Sequence, residues 1–147
     1  MSSSSIERRR LLRAAIATGL VAYLPKARAC EFFAANLRIT HPWTRASAAG
    51  ASTAIVCMKF DEVTLADRLI SVETPVASGA EMGGTQTDTA VNFALAAGQE
   101  YELSETGTFI RLLGLKHRLE LGRSYPLRLV FEHSGPIAAE LSVDYES

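Results

Sequence analysis

The sequence contains few cysteines and no apolar run long enough to cross a membrane. Its 147 residues include two cysteines, Cys30 and Cys57, and no Cys-x-x-Cys spacing indicates thiol-redox chemistry. In an oxidising compartment the two thiols could pair, but the sequence leaves their geometry open. The main apolar run, residues 14–24, spans 11 residues, whereas a membrane-spanning helix needs about 20. We therefore expect no permanent membrane span.

Sequence motifs of common enzymes are also missing. The chain has no His-Glu-x-x-His, no Gly-x-Ser-x-Gly and no glycine-rich phosphate loop. The acidic residues Glu100 and Glu102 alternate with Tyr101 and Leu103, which is typical of the solvated face of a strand rather than of an acid–base pair. We therefore expect that the protein is not an enzyme.

The first 29 residues have the pattern of an export signal. A basic cluster at 8–13 precedes the apolar run, and a small-residue exit follows at Ala27-Arg28-Ala29. The arginines also resemble a twin-arginine signal, although an arginine-rich Sec signal has the same pattern. We predict a signal helix over roughly residues 6–24, removal of the signal at or near Ala29, and a periplasmic or secreted domain.

Acylation of Cys30 in a lipoprotein is a less favoured alternative. The residues before Cys30 lack the usual branched apolar residue and include the charged Arg28. After removal of residues 1–29, residues 30–147 carry nine basic and fifteen acidic side chains, a formal charge of −6. This acidic balance argues against nucleic acid or an anionic membrane as a partner.

Residues 30–147 contain short runs of period-2 alternation separated by turn residues, with no internal repeat. The runs are 36–40, 52–60, 67–74, 91–95, 100–104, 108–113, 125–132 and 138–145. This spacing predicts one all-β domain, an antiparallel β-sandwich of about seven to nine strands. We expect Leu127, Leu129 and Phe131 in the core and Trp43 largely buried.

Four segments together resemble the PCu(A)C family of periplasmic copper chaperones. They are "ITHPWTRAS", "ADRLISVETPVASGAEM", "LAAGQEYEL" and "GLKHRLELGRSYPLRLVFEHSG", and the likeness covers nearly all of residues 37–133. The resemblance implies a cupredoxin-like Greek-key sandwich. It also implies Cu(I) binding by Met and His, which are suitable soft donors, and delivery of copper to the CuA centre of cytochrome oxidase.

The positions that match the family's copper ligands hold other residues here. The family's His-x-Met falls on Phe109-Ile110-Arg111, and its first His falls on Gly83 if Glu81 matches the Glu before it. The segment between Gly83 and Phe109 is shorter than in the family and contains no Met. Neither Phe109 nor Arg111 can ligate copper, and Arg111 adds a permanent positive charge. We therefore predict that the family's copper site is lost and that no cofactor is bound.

Two uses of such a domain remain open. In the first, Phe109 and Arg111 contact a protein partner or a small ligand. Aromatic and Arg side chains are enriched at interface hot spots, which favours this use. A half-buried Phe109 and a solvated Arg111 without any partner explain the pair equally well. In the second, the protein is a Cu(I) chaperone with relocated ligands, for which Met82, His41 and Cys57 are the candidates.

Overall fold

The computed structural model describes residues 30–147. The predicted signal helix, the twin-arginine pattern and the cleavage site at Ala29 lie outside the described residues. Ten strands are present in the described part. They are β1 (Glu31–Phe33), β2 (Arg38–Arg45), β3 (Thr53–Asp61), β4 (Asp67–Glu73), β5 (Ala77–Gly84), β6 (Phe93–Leu95), β7 (Tyr101–Leu103), β8 (Thr108–Leu115), β9 (Ser124–Phe131) and β10 (Gly135–Tyr145).

The strands form one curled sheet that closes around a single main core. Neighbours follow the order β5-β8-β3-β2-β10-β9-β4-β6, with β1 paired to β2 and β7 paired to β3. The prediction of an all-β sandwich is confirmed, and the expected antiparallel pairing holds for every described pair except β2 and β10, which run parallel. We predicted seven to nine strands, and the described residues form ten.

Every predicted period-2 run overlaps a strand, although β2 continues to Arg45, beyond the predicted end at residue 40, and β1 and β5 were missed. The sequence of β5 is Ala-Ser-Gly-Ala-Glu-Met-Gly-Gly, and glycine and alanine are depleted in strands because they offer little side chain to pack. Pairing with β8 along the whole length of β5 compensates for this composition. Local propensity alone therefore could not reveal this strand.

The core forms where alternate residues of facing strands meet. Leu127, Leu129 and Phe131 are buried as predicted, and each such side chain contributes about 1.5–3 kcal/mol by leaving water. Trp43 was expected to be largely buried and is instead half-buried. It stands opposite Cys57 and packs edge-on against Tyr145, with ring centroids 4.9 Å apart.

Candidate functional site

The antiparallel pairing of β5 with β8 brings the three predicted site positions together. Gly83 stands opposite Phe109, and Glu81 stands opposite Arg111. Side chains alternate along each strand, so these four residues share one face of the sheet. The intervening pair, Met82 and Ile110, turns inward, and both side chains are completely buried in the main core.

The ring of Phe109 occupies the space above Gly83. A β-carbon on Gly83 would lie 2.6 Å from Cε2 and 3.1 Å from Cζ of that ring. Phe109 is only 7% exposed, so most of its surface packs against the protein and little is available to a partner. The glycine and the phenylalanine thus form a filled, apolar floor on this face of the sheet.

Arg111 covers the open side of this floor. Its Nη1 donates to Glu81 Oε1 at 2.8 Å, and its guanidinium carbon lies 5.2 Å from the centroid of the Phe109 ring. The positive charge is therefore held by a carboxylate on one side and by the negative face of an aromatic ring on the other. The side chains of Arg111 and Glu81 remain 34% and 28% exposed, which makes them the accessible part of the patch.

The segment that follows Gly83 closes tightly against the turn before β8. Gly84 has a φ of +82°, and a β-carbon there would lie 1.8 Å from the carbonyl oxygen of Gly107. Thr85 N–H donates to the same oxygen at 3.2 Å, and the hydroxyls of Thr85 and Thr108 are hydrogen-bonded at 2.8 Å. Only glycine fits at position 84, because a side chain would clash with the Gly107 carbonyl group and because a residue with a side chain is strained at this positive φ.

The three alternative copper ligands lie in three different environments. Met82 is turned into the core, and Cys57 is 1% exposed on the opposite surface of the sheet. His41 Nε2 lies 2.7 Å from Asp144 Oδ2. In the strand order β8 and β3 separate β5, which carries Met82, from β2, which carries His41. The structure does not bring these residues together.

The described residues contain no group of three or more His, Cys, Asp or Glu side chains arranged to hold a metal ion. Burial raises the pKa of the Cys57 thiol to about 11, and the carboxylates of Glu105 and Glu102 act in the same direction. A thiol is a ligand only as the thiolate. Cys57 is therefore a poor donor at neutral pH, and both Cys30 and Cys57 are free thiols.

Sequence reasoning missed the cluster that continues this face across β3 and β2. Ile55 stands opposite Arg111. Beyond it, Arg45 donates two hydrogen bonds to Glu105, at 2.7 and 3.0 Å, and its guanidinium carbon lies 5.4 Å from the Tyr145 ring centroid. Hydrogen bonding from Arg45 holds the pKa of Glu105 below its usual value. The two arginines repeat one arrangement, each between a carboxylate and an aromatic ring.

The family comparison agrees with this fold. The family model described as "Putative lipoprotein LpqE-like" matches residues 37–143. The chain belongs to the LpqE-like family. No curated protein matches the sequence. Among the residues that the structure describes, none form a helix long and apolar enough to cross a membrane.

Solved structures show that this LpqE-like chain has the fold of PCuAC domains, which confirms the resemblance found in the sequence. The apo PCuAC domain from PmoF1 is 26% identical, with a TM-score of 0.72, covering 78% of this chain and 98% of that one. The copper-bound PCuAC domain from PmoF2 is 22% identical, also with a TM-score of 0.72, covering 78% and 97%. The Cu(I) form of DR1885 from Deinococcus radiodurans is 17% identical, with a TM-score of 0.55, covering 69% and 76%.

Proposed function

We propose that this LpqE-like protein is an exported binding or accessory protein, not an enzyme, in which the copper site of the PCuAC fold has been replaced by a Phe–Arg patch. The observation that carries the proposal is the contact between Phe109 and Gly83. The ring occupies the volume that a ligand at position 83 would need, and neither residue has a metal-binding atom.

Charge supports the same conclusion. Arg111 places a guanidinium beside the ring at 5.2 Å, and this group cannot lose its proton in a protein. Its partner Glu81 is already engaged at 2.8 Å, so the carboxylate would have to leave Arg111 before it could face a cation. Because Cu(I) prefers soft donors, a site with one carboxylate and one guanidinium is unsuitable for it.

The accessible part of the patch is the Glu81–Arg111 pair, and we propose that it contacts the protein partner or small ligand. The ring of Phe109 holds the guanidinium in place from beneath. An Arg that is already oriented loses less side-chain freedom on binding than a free one. Phe109 is then a positioning residue, and Arg111 is the contact residue.

A Cu(I) titration against a competing chelator tests the proposal. We expect this protein to lose the competition under conditions in which the copper-bound PCuAC domain from PmoF2 retains the ion. Tight binding of one Cu(I) per chain, unchanged by Phe109→Leu or Arg111→Gln, would defeat the proposal. Those two variants change the patch without adding a soft donor.

A working Cu(I) chaperone with relocated ligands is the second candidate. It is favoured by the copper-bound state of two solved structures with this fold. In that case Met82→Leu, His41→Gln and Cys57→Ser should weaken the binding that the titration detects. The core position of Met82 and the Asp144 contact of His41 mean that the strands would have to rearrange first.

We further propose that the chain is exported and that Cys30 anchors it to a membrane as an acylated residue. The description of the family model, "Putative lipoprotein LpqE-like", supports this proposal, and cleavage after Ala29 would make Cys30 the first residue. Cys30 is exposed, so an acyl group there meets no steric obstacle. The free periplasmic domain stays the alternative, because Arg28 departs from the usual pattern before an acylated cysteine.

A further inference from the structure

One end of the sandwich exposes apolar side chains on three neighbouring segments, 33–36, 62–66 and 96–98, which we call the apolar tip. Its exposed apolar residues are Phe33, Ala35, Leu65, Ala66, Ala96 and Ala97. Phe33 is 65% exposed and Leu65 is 63% exposed, the highest values among the described large apolar residues. Single exposed apolar residues are common, but several of them together at one end of a domain indicate a contact surface.

Backbone hydrogen bonds join the three segments into one rigid surface. Thr64 N–H donates to the carbonyl oxygen of Asn36 at 2.8 Å, and Gly98 N–H donates to that of Val63 at 2.8 Å. The backbones of the three segments are therefore held together at this end of the sandwich. Such a surface loses little conformational freedom when it is covered.

The apolar tip carries little charge of its own, and Arg38 beside it is shared among Glu31, Asp61 and Glu62. Glu62 is the one charged residue within its three segments, and Arg38 lies 3.8 Å from its carboxylate. The chemistry of the tip fits an apolar environment, although the domain as a whole is acidic.

The place where the chain would be attached to a membrane lies beside this tip. Cys30 is three residues before Phe33, a distance of about 10 Å along an extended strand. Strand β1 is paired with β2, and the carbonyl oxygen of Cys30 accepts a hydrogen bond from His41 N–H at 2.7 Å. The chain therefore has no slack between an anchor at Cys30 and the folded domain.

We propose that the apolar tip inserts Phe33 and Leu65 into the surface of the phospholipid bilayer to which the chain is attached. The inference rests on the proposed anchoring at Cys30. Because Cys30 lies about 10 Å from the tip along an extended strand, the bilayer that holds the anchor is the apolar phase nearest to the tip. Insertion would remove both side chains from water while the acidic remainder of the domain stays solvated.

Tryptophan fluorescence in vesicles tests this inference. The full chain, produced and processed in a bacterial host, is reconstituted into phosphatidylcholine vesicles with and without bromine on the acyl chains. Phe33→Trp and Leu65→Trp place a reporter at the tip, and Leu121→Trp is the matched control. Leu121 is 49% exposed in the loop between β8 and β9, at the opposite end of the sandwich. Trp43 contributes the same background to all three variants.

We expect the two tip variants to lose emission in the brominated vesicles and to shift towards the blue, while Leu121→Trp changes in neither respect. Equal quenching of the tryptophan emission in all three variants overturns the insertion. So does the absence of quenching in all three variants when the protein sediments with the vesicles. Protein that does not sediment with vesicles overturns the anchoring and the insertion together. A blue shift without vesicles that grows with protein concentration identifies a second copy as the occupant and also overturns the proposal.

Discussion

The ring of Phe109 lies against the backbone of Gly83 on the adjacent strand, so closely that a β-carbon at position 83 would stand 2.6 Å from ring atom Cε2. Contacts this short are avoided in folded proteins, so one of the two groups must move if position 83 gains a side chain. The two residues therefore depend on each other. A larger side chain fits at position 83 only if the ring of Phe109 moves or residue 109 changes.

Gly83→Ala is expected to lower the free energy of unfolding by about 1–3 kcal/mol, because the added methyl group overpacks the ring. Gly79→Ala, on the same strand, is the control, since no described heavy atom lies within 4 Å of a β-carbon there. Urea denaturation measures both. In a Phe109→Leu background the cost of Gly83→Ala should fall by more than about 0.5 kcal/mol. Equal costs in the two backgrounds would contradict the contact.

Restoring donors at the patch should create Cu(I) binding. Phe109→His with Arg111→Met returns the family's residue types to one strand face, removes the positive charge and frees Glu81. We expect weak but measurable Cu(I) retention, strengthened by adding Gly83→His, because the fold already holds these positions together. A double variant of Phe109→Leu with Arg111→Leu removes the same groups without adding donors. Retention by that control would show that the copper binds elsewhere.

Asp67 should contribute to stability above its pKa and lose that contribution in acid. The side chain is 5% exposed and accepts hydrogen bonds from the N–H groups of Arg68 and His133 and from the N–H and hydroxyl of Ser134. Burial alone would raise its pKa, but these bonds outweigh burial and hold the pKa below its usual value.

Because the folded pKa of Asp67 is lowered, its stabilisation is complete above the unfolded value of about 3.9 and disappears as pH falls through the folded pKa. Asp67→Asn should cost about 1–3 kcal/mol at neutral pH and less in acid. Glu140→Gln, at an exposed position, is the control. Urea denaturation across pH 2–7 measures the effect; a cost that is independent of pH would refute the assignment.

Cys57 should resist alkylation in the folded protein. Its pKa is raised to about 11 by burial, so little thiolate is present at neutral pH and access is blocked. Iodoacetamide should modify Cys57 only after denaturation, as shown by peptide mass spectrometry. Trp43→Ala, which removes the residue opposite Cys57, should speed the reaction. Rapid labelling of Cys57 in the native protein would contradict the burial of this thiol.

Processing should leave Cys30 as the first residue of the exported protein. Intact mass and N-terminal peptide analysis of the envelope fraction would show an acylated Cys30 if the chain is anchored. A Cys30 terminus without an acyl group would instead support an unanchored periplasmic domain. Retention of Met1 or Ser2 in the exported fraction would disprove removal of the signal. Cys30→Ser should abolish acylation and release the domain.

Sequence alone was sufficient for the fold class and for the chemistry of the patch. In β9, Leu127, Leu129 and Phe131 alternate with polar or smaller residues, and this local pattern determines which face is buried. The sequence by itself shows that the side chains of Phe109 and Arg111 supply no metal donor, because donor chemistry belongs to the side chain and not to its surroundings.

Tertiary structure decided which residues meet. Strand β5 has weak strand propensity, so its pairing with β8, the ring of Phe109 over Gly83 and the Glu81–Arg111 ion pair could not be obtained from local pattern. The half-burial of Trp43 likewise depends on the parallel approach of β10 to β2. These features arise from pairing between residues far apart in the chain, and register between distant strands is set by the packing of the whole core.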